Sequence, residues 1–264
     1  MLGMDVVIRL AGRRIGGLLR ALGRRAYFAR DIVRGVRDPD TWIPEMIRQM
    51  RTIGVESVPL TIIVAAFLGG VTAFQTRYQL FPGVQLSVVG LITRQSIVLE
   101  LGPLLTALVL TGRVGARMTA EIGTMRVTEQ IDALETLSFD PVAYLALPRF
   151  LAGIVMLPAL VILANTTAIV SAWAILITAT DVRTADFLDG LRLAFTTFQV
   201  VYSLIKAFLF GAAISFVCSY EGYVTEAGAE GVGRSTALAV VIASVSILVL
   251  DALVAAVLAP FIQA

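Results

Sequence analysis

The sequence predicts an all-α, polytopic membrane protein: an amino-terminal interfacial helix, five transmembrane helices, and a short amphipathic helix between the second and third spans. Three observations predict it. Of 264 residues, 58% are hydrophobic and only 15% charged, with a mean hydropathy of +0.87, whereas an ordinary soluble domain carries about 25% charged residues. Charge-poor stretches long enough to cross a bilayer recur five times along the chain. The charged residues gather instead in the first fifty positions and in the connections between those stretches.

The same composition excludes several classes. So apolar a chain is not disordered. One cysteine, Cys218, rules out a disulfide scaffold. The absence of histidine removes the commonest metal ligand and the usual general base, and no metal site is expected. Lysine occurs once, at Lys206, so nearly all positive charge is arginine.

Residues 1–51 hold eleven arginines against five acids. In a hydrophobic chain such an arm points to the anionic cytoplasmic membrane face rather than to nucleic acid. It is not a secretory signal, because no apolar run follows the first arginines before Ile53. Ile15, Leu18, Leu19 and Leu22 form one stripe, with Arg13, Arg20 and Arg24 largely on another side. That pattern predicts a helix lying in the interface, or a solvated helix packed on a partner. Asp38-Pro39-Asp40 breaks it, and Asp40 is expected to cap the next helix through Met46 and Met50.

The spans are expected at about Ile53–Gln75, Ser87–Thr111, Phe150–Thr180, Leu193–Tyr220 and Ser235–Ala264. With no internal repeat or linker, residues 1–264 read as a single domain: a basic arm over 1–51 and a membrane region over 52–264. A cytoplasmic amino terminus places basic residues of 1–51, 113–149 and 221–234 inside and those of 77–94 and 181–192 outside, a ratio of 16 to 4. The positive-inside rule selects that orientation.

Between the second and third spans, Val127, Ile131 and Leu134 recur at i, i+4 and i+7, one face of a short helix over about 119–138. Asp140-Pro141 is a cap followed by a first-turn proline. The residues alone leave two readings of this helix open, a surface helix on the membrane or a docking helix for a soluble partner.

Here the sequence resembles the MlaE/YrbE-like permeases of lipid-transporting ABC systems. The resemblance is carried by Glu100-Leu101-Gly102-Pro103, by the run from Ala120-Glu121-Ile122-Gly123 through Asp132-Ala133-Leu134, by Asp140-Pro141 and Leu147-Pro148-Arg149, and by Gly228 to Thr236. It extends over nearly the whole chain after about residue 40. It implies a homodimeric permease in the bacterial inner membrane, coupled to a cytoplasmic ATPase and to an MCE-domain lipid-binding protein on the far side. It also implies that 119–138 is a coupling helix, with Glu121, Thr124, Arg126, Glu129, Gln130 and Asp132 as the coupling residues. Some members carry arginine just before the glutamate of the Glu-Leu-Gly-Pro motif. Here that position is Leu99, so no role for a charge pair there is transferred.

The single lysine bears on the division of labour. A nucleotide-binding P-loop needs a glycine-rich turn before its lysine. Lys206 sits in Ser203-Leu204-Ile205-Lys206-Ala207 without one. The chain is therefore expected to be a transport subunit and no enzyme, with ATP and magnesium held by a partner chain.

Lys206 and Asp251 fall near the middles of spans four and five, and Glu100 inside span two beside Gly102-Pro103. An isolated charge at the bilayer centre costs about 2.5–3.5 kcal/mol or more, so each is expected to pair or to face a polar path. Pairing of Lys206 with Asp251, or with Glu100, fits their depths. Ala65, Gly69 and Ala73, with Ala66 and Gly70 beside them, make a small-residue stripe suited to close packing inside the chain or at a dimer seam. Phe74, Tyr78, Leu80 and Phe81 form a bulky group at the exterior end of span one. Such residues are most often ordinary lipid-facing or interface anchors; the alternative is that they line an acyl-chain pocket. Gly222, Gly228, Gly231 and Gly233 predict a flexible turn over 221–234.

The expected function is the permease subunit of an ATP-driven phospholipid transporter. One rival is a secondary transporter that uses Glu100, Lys206 and Asp251 as an ion or proton relay. A non-transporting scaffold is the other.

Overall fold

A computed structural model describes residues 20, 22–37, 39–81 and 83–262. The described residues form helices α1 (22–35), α2 (Pro39–Ile53), α3 (Val58–Gln79), α4 (Ser87–Gln95), α5 (Gly102–Leu110), α6 (Ala116–Val127), α7 (Gln130–Thr136), α8 (Leu147–Ala179), α9 (Thr184–Arg192), α10 (Thr197–Tyr223) and α11 (Ala229–Ile262). No strand occurs among them. In hydrocarbon every backbone donor must be satisfied within its own segment, and helices do this. Five helical stretches are long and apolar enough to cross a membrane: Pro39–Gln79, Ser87–Val127, Val142–Ala179, Thr197–Tyr223 and Ala229–Leu258.

The interfacial stripe at Ile15, Leu18 and Leu19, with Arg13, lies outside the described residues. Leu22 is exposed, whereas Phe28 and Ile32 of α1 are buried against Val142, Leu147 and Tyr220. Arg25 of α1 also donates to Glu221 at 2.9 Å. So α1 docks on the beginning of the third span and the end of the fourth. Asp40 lies within the first turn of α2 rather than at its cap. That is because the helix already begins at Pro39, whose fixed φ suits a first helical position.

The second span is one helix of 41 residues, Ser87–Val127, rather than ending at Thr111. Two π-helical turns interrupt it, Ser96–Leu101 and Thr111–Gly115. The arginines of Gly112–Arg117 suggest a loop, but Val114, Met118 and Ile122 maintain a buried face that packs with Ile214 and Cys218 of α10 and Ala239 and Ala243 of α11. That face continues the helix beyond the apolar stretch.

The helix expected over 119–138 is two helices. α6 ends at Val127 and α7 starts at Gln130, with Glu129 in the left-handed region at φ 59°. Val127 and Ile131 therefore do not share one continuous helical face. Ile131 and Leu134 still pack on the main core from α7. Arg126 donates to Asp132 at 2.7 Å across the break and ties the corner together.

Asp140 behaves as a cap: its Oδ1 accepts the backbone N–H groups of Val142 at 2.9 Å and Ala143 at 3.3 Å. The third span then begins at Val142, before Phe150. Between α10 and α11 the turn is shorter than the glycines suggest. Gly231 and Gly233 are helical, and only Gly228, at φ 92°, needs the left-handed freedom of glycine.

The small-residue stripe faces α8 within the same chain. Ala65 and Ala73 are buried. A Cβ placed on Gly69 would overlap the carbonyl oxygen of Ala168, and the Ser171 hydroxyl donates to the Ala66 carbonyl at 2.7 Å. In lipid such close approach supplies the packing that water-driven burial supplies elsewhere.

At the end opposite α7, α9 lies against α4, with Gly90 and Gly190 in contact. Buried Arg94 pins the link to α10. It donates to Gln199 Oε1 at 2.9 Å and to the carbonyls of Leu193 and Ala194 at 3.0 and 3.4 Å. At the same end Arg77 Nε and Nη2 each donate at 2.7 Å to the Asp181 carboxylate, which holds its pKa below the usual carboxylate range.

Gly69→Ala gains about 1 kcal/mol of helix propensity but drives a methyl group into a neighbouring backbone, which overpacking data put at about 1–3 kcal/mol. The expected net result is a lower thermal midpoint of the detergent-solubilised protein. Val71→Ala, at an exposed position of the same helix, leaves the midpoint nearly unchanged. An unaltered midpoint in the Gly69 variant contradicts this packing.

Candidate functional site

Within the spans, Lys206, Glu100 and Asp251 meet at one point. Lys206 on α10 has no exposed surface. Its Nζ donates to Glu100 Oε2 at 2.6 Å and to the Leu99 carbonyl at 3.2 Å. Asp251 Oδ1 on α11 lies 2.8 Å from Nζ, an ionic contact off hydrogen-bond alignment. The Tyr202 ring covers the ammonium, its centroid 4.8 Å away. One cation thus joins three spans, and both pairings suggested by depth are realised together.

The backbone of the second span builds this point. Glu100 belongs to the Ser96–Leu101 π-helical turn, where one extra residue redirects the side chains. Pro103 has no N–H to give to the carbonyl four residues back, which is that of Leu99. Lys206 Nζ supplies a donor to that carbonyl instead. The position that departs from the family motif therefore contributes its backbone, and Leu99 needs no charge to do so.

Sequence reasoning passed over the polar groups around the cluster. Asn165 of α8 donates to the Ser203 hydroxyl at 3.1 Å, one turn from Lys206. Its buried Oδ1 has no hydrogen-bond partner, and it sits where a Cβ on Gly102 would go. The signal was present: Asn165 is the one side-chain amide in the uncharged stretch 150–180. The charged groups are unequally wet, with side-chain exposures of 45% for Glu100 and 17% for Asp251. The cluster is buried at lysine and open at glutamate.

The second candidate region is the α6–α7 corner. Thr124, Glu129, Gln130 and Asp132 are exposed along it. Arg126 pairs with Asp132 and lies 5.9 Å from the Tyr223 ring centroid. Glu121 turns the other way, accepting from Arg117 at 2.8 Å and from Arg149 at 3.3 Å. At the opposite end, Phe74, Tyr78 and Phe81 are exposed, and the first two rings meet at a 53° tilt with 4.7 Å between centroids. Leu80 instead packs against the buried cluster of Ala73, Val89 and Phe187. Leu80 thus faces the chain's own interior, whereas the other three face outward.

Removing Lys206 alone strands the half-buried Asp251 and leaves the wetter Glu100 without its cation. Breaking a fully buried pair costs about 3–5 kcal/mol, and the exposure of Glu100 puts this cluster toward the lower figure. Lys206→Met is expected to lower the thermal midpoint sharply. Lys206→Met combined with Glu100→Gln and Asp251→Asn is expected to restore most of it. If the single variant is as stable as the parent chain, the ion cluster does not hold these spans together.

Comparison with known proteins agrees with this architecture. The family described as Permease MlaE matches residues 46–257. A probable ABC transporter permease protein of Rickettsia felis is 36% identical over 248 residues, covering 92% of this chain and 94% of the relative. The intermembrane phospholipid transport system permease protein MlaE of Haemophilus influenzae is 29% identical over 252 residues, covering 95% and 97%. A probable ABC transporter permease protein of Synechocystis is 37% identical over 203 residues, 77% of each chain. With its five apolar helices and a match through every one of them, the chain belongs to the MlaE permease family of ABC transporters.

Proposed function

We propose that this chain is the membrane subunit of an ATP-driven phospholipid transporter, working as a homodimer. In this reading it lies in an inner membrane with its amino terminus in the cytoplasm. A separate ATPase, which carries ATP and magnesium, docks at the α6–α7 corner. An MCE-domain lipid-binding protein exchanges lipid on the far side. Lys206 has no P-loop glycines before it, which supports a partner chain as the energy source.

The observation that carries the proposal is the corner itself. It stands exposed, the Arg126–Asp132 pair bridges its break, and Glu129 adopts a left-handed conformation. It is also the end of the helix that contains Glu100, 41 residues long from Ser87 to Val127. A push on the corner is therefore a push on the helix that bears one arm of the Lys206 cluster. The name of the Haemophilus relative supports a phospholipid cargo, and the basic-residue distribution supports the orientation. Phe74, Tyr78 and Phe81 would then line an acyl-chain path completed by the second copy.

A second reading has its own observation. Glu100, Lys206 and Asp251 in contact inside the membrane are also what an ion- or proton-driven transporter would require. The two readings separate on purified protein in liposomes, where a secondary transporter moves substrate without any ATPase.

The test of the corner is Glu129→Asn combined with Gln130→Ala. Asparagine tolerates the left-handed conformation, so the fold is retained while the docking edge changes. The expected outcome is an unchanged thermal midpoint, at least tenfold less co-purifying ATPase by about 1.4 kcal/mol of lost affinity, and loss of ATP-dependent lipid movement. Full ATPase recovery and transport with this variant refute docking at this corner.

A further inference from the structure

A second polar cluster lies at the end of the molecule that carries α7, away from the Lys206 cluster and bordering the exposed corner at Thr124. α2, α6 and the start of α8 surround an open cavity of about 700 Å³. Arg48, Arg117 and Arg149 line it, with the carboxylate of Glu121. A narrower cleft continues inward, shares Gln49, Thr52, Arg117 and Glu121 with the cavity, and ends at Arg113.

The charges do not balance there. Glu121 is shared by Arg117 and Arg149. Arg117 also reaches Glu56 at 2.9 Å, and Arg48 reaches Glu45 at 2.8 Å. Arg113 donates to the Ser57 hydroxyl at 2.6 Å and has no carboxylate partner among the described residues. Four guanidiniums therefore share three carboxylates, and only Glu121 lines the cavity.

Arg149 is the most demanding of the four. Its side chain is only 5% exposed. One terminal nitrogen donates to the Leu145 carbonyl at 2.7 Å, the other reaches Glu121 at 3.3 Å, and Nε is buried with no partner. A buried charged donor left unmade is costly, and arginine cannot shed its proton to escape the cost. The planar fork of guanidinium donors matches the oxygens of a phosphate group.

We propose that this cavity binds a phosphate-type anion, held between Arg149 and Arg117, with Arg113 at the inner end and Arg48 at the mouth. The chemistry is that of a phosphate carrying at least one negative charge. Either a free phosphate or an anionic lipid headgroup provides it. Glu121 is the one opposing group, and two guanidiniums already neutralise it. The site does not depend on the transport reading, because it needs neither an ATPase nor a second copy.

Arginine footprinting tests it on the full-length chain in phosphatidylcholine nanodiscs. Phenylglyoxal modification is followed residue by residue by mass spectrometry. One arm adds inorganic phosphate against chloride at equal ionic strength. The other replaces part of the phosphatidylcholine with phosphatidylglycerol. Modification of Arg117 is expected to slow about tenfold, the effect of one charge-assisted contact. Modification of Arg234, an exposed cation at the start of α11, is expected not to change. Slowing by phosphate in neutral discs identifies a soluble anion, and slowing only with phosphatidylglycerol identifies a headgroup. Either result supports the site. Slowing in neither arm, or equal slowing at Arg234, overturns it. Arg149→Lys keeps the charge and loses the fork, so it is expected to raise the half-protecting concentration about tenfold. If that variant does not fold, Arg113→Gln is read in its place with the same expectation, and protection unchanged in the folded variant also overturns the site.

Discussion

Hydrocarbon offers no partner to a charge or to an unpaired backbone group, and the rest of this structure is arranged around that constraint. Among the described residues, three buried cations meet it in three ways. Lys206 is answered by two carboxylates, one carbonyl and one ring. Arg94 is answered by neutral dipoles, from Gln199 and two carbonyls, with the Phe195 ring 5.2 Å away. Arg149 takes one carbonyl and a share of one carboxylate. The Arg94 solution shapes the backbone. The link between α9 and α10 curls so that two of its carbonyls reach the guanidinium, and Ala194 adopts φ 51° to do it. That conformation is unfavourable for alanine, and the solvation of a permanent charge compensates it.

Between helices the constraint acts through shape. Lipid tails are as apolar as leucine, so helices gain little by burying leucine and more by close contact. α3 and α8 approach through Gly69 and Ala168, with Ala65, Ala73, Ala164 and Ala172 buried alongside. The bulky residues turn outward: Phe67 and Val71 on α3, and Leu248 and Val257 on α11, are exposed. In a chain with five helices long and apolar enough to cross a membrane, the bilayer is the natural cover for those outward faces.

This explains which parts of the molecule were legible in the sequence. The existence of each span follows from stretches that lack charge, and all five are present. The lower end of the second span was not legible, because Arg113 and Arg117 mask an apolar face at Val114, Met118 and Ile122 that only tertiary packing reveals. Lys206 and its two acids could be matched by depth, since an unpaired charge is too costly to leave. Their joint meeting could not, because it depends on a π-helical turn and on a carbonyl released by Pro103. The break at Glu129 gave no signal either, since neither glycine nor asparagine marks it. Arg94 was obscure for a related reason: its partners are mostly backbone atoms, which carry no residue identity.

The two π-helical turns give the second span a mechanical character that a plain helix lacks. Each holds one residue more than an α-helical turn. Exchange of such a turn for α-helix rotates everything beyond it by about 100° and advances it about 1.5 Å, the step of one residue. Glu100 sits within the first turn, and the second separates α5 from the corner helix α6. Lys206 and Asp251 belong to α10 and α11, which pack against α6 as well. The cluster therefore lies between a helix that has two places to yield and two helices that follow the same corner. A rotation at the first turn would take Glu100 away from Lys206 while Asp251 stays within reach, since α10 and α11 remain joined. In that arrangement Asp251 still pairs the lysine, and Glu100, with 45% of its side chain exposed, is the group that gives up its cation.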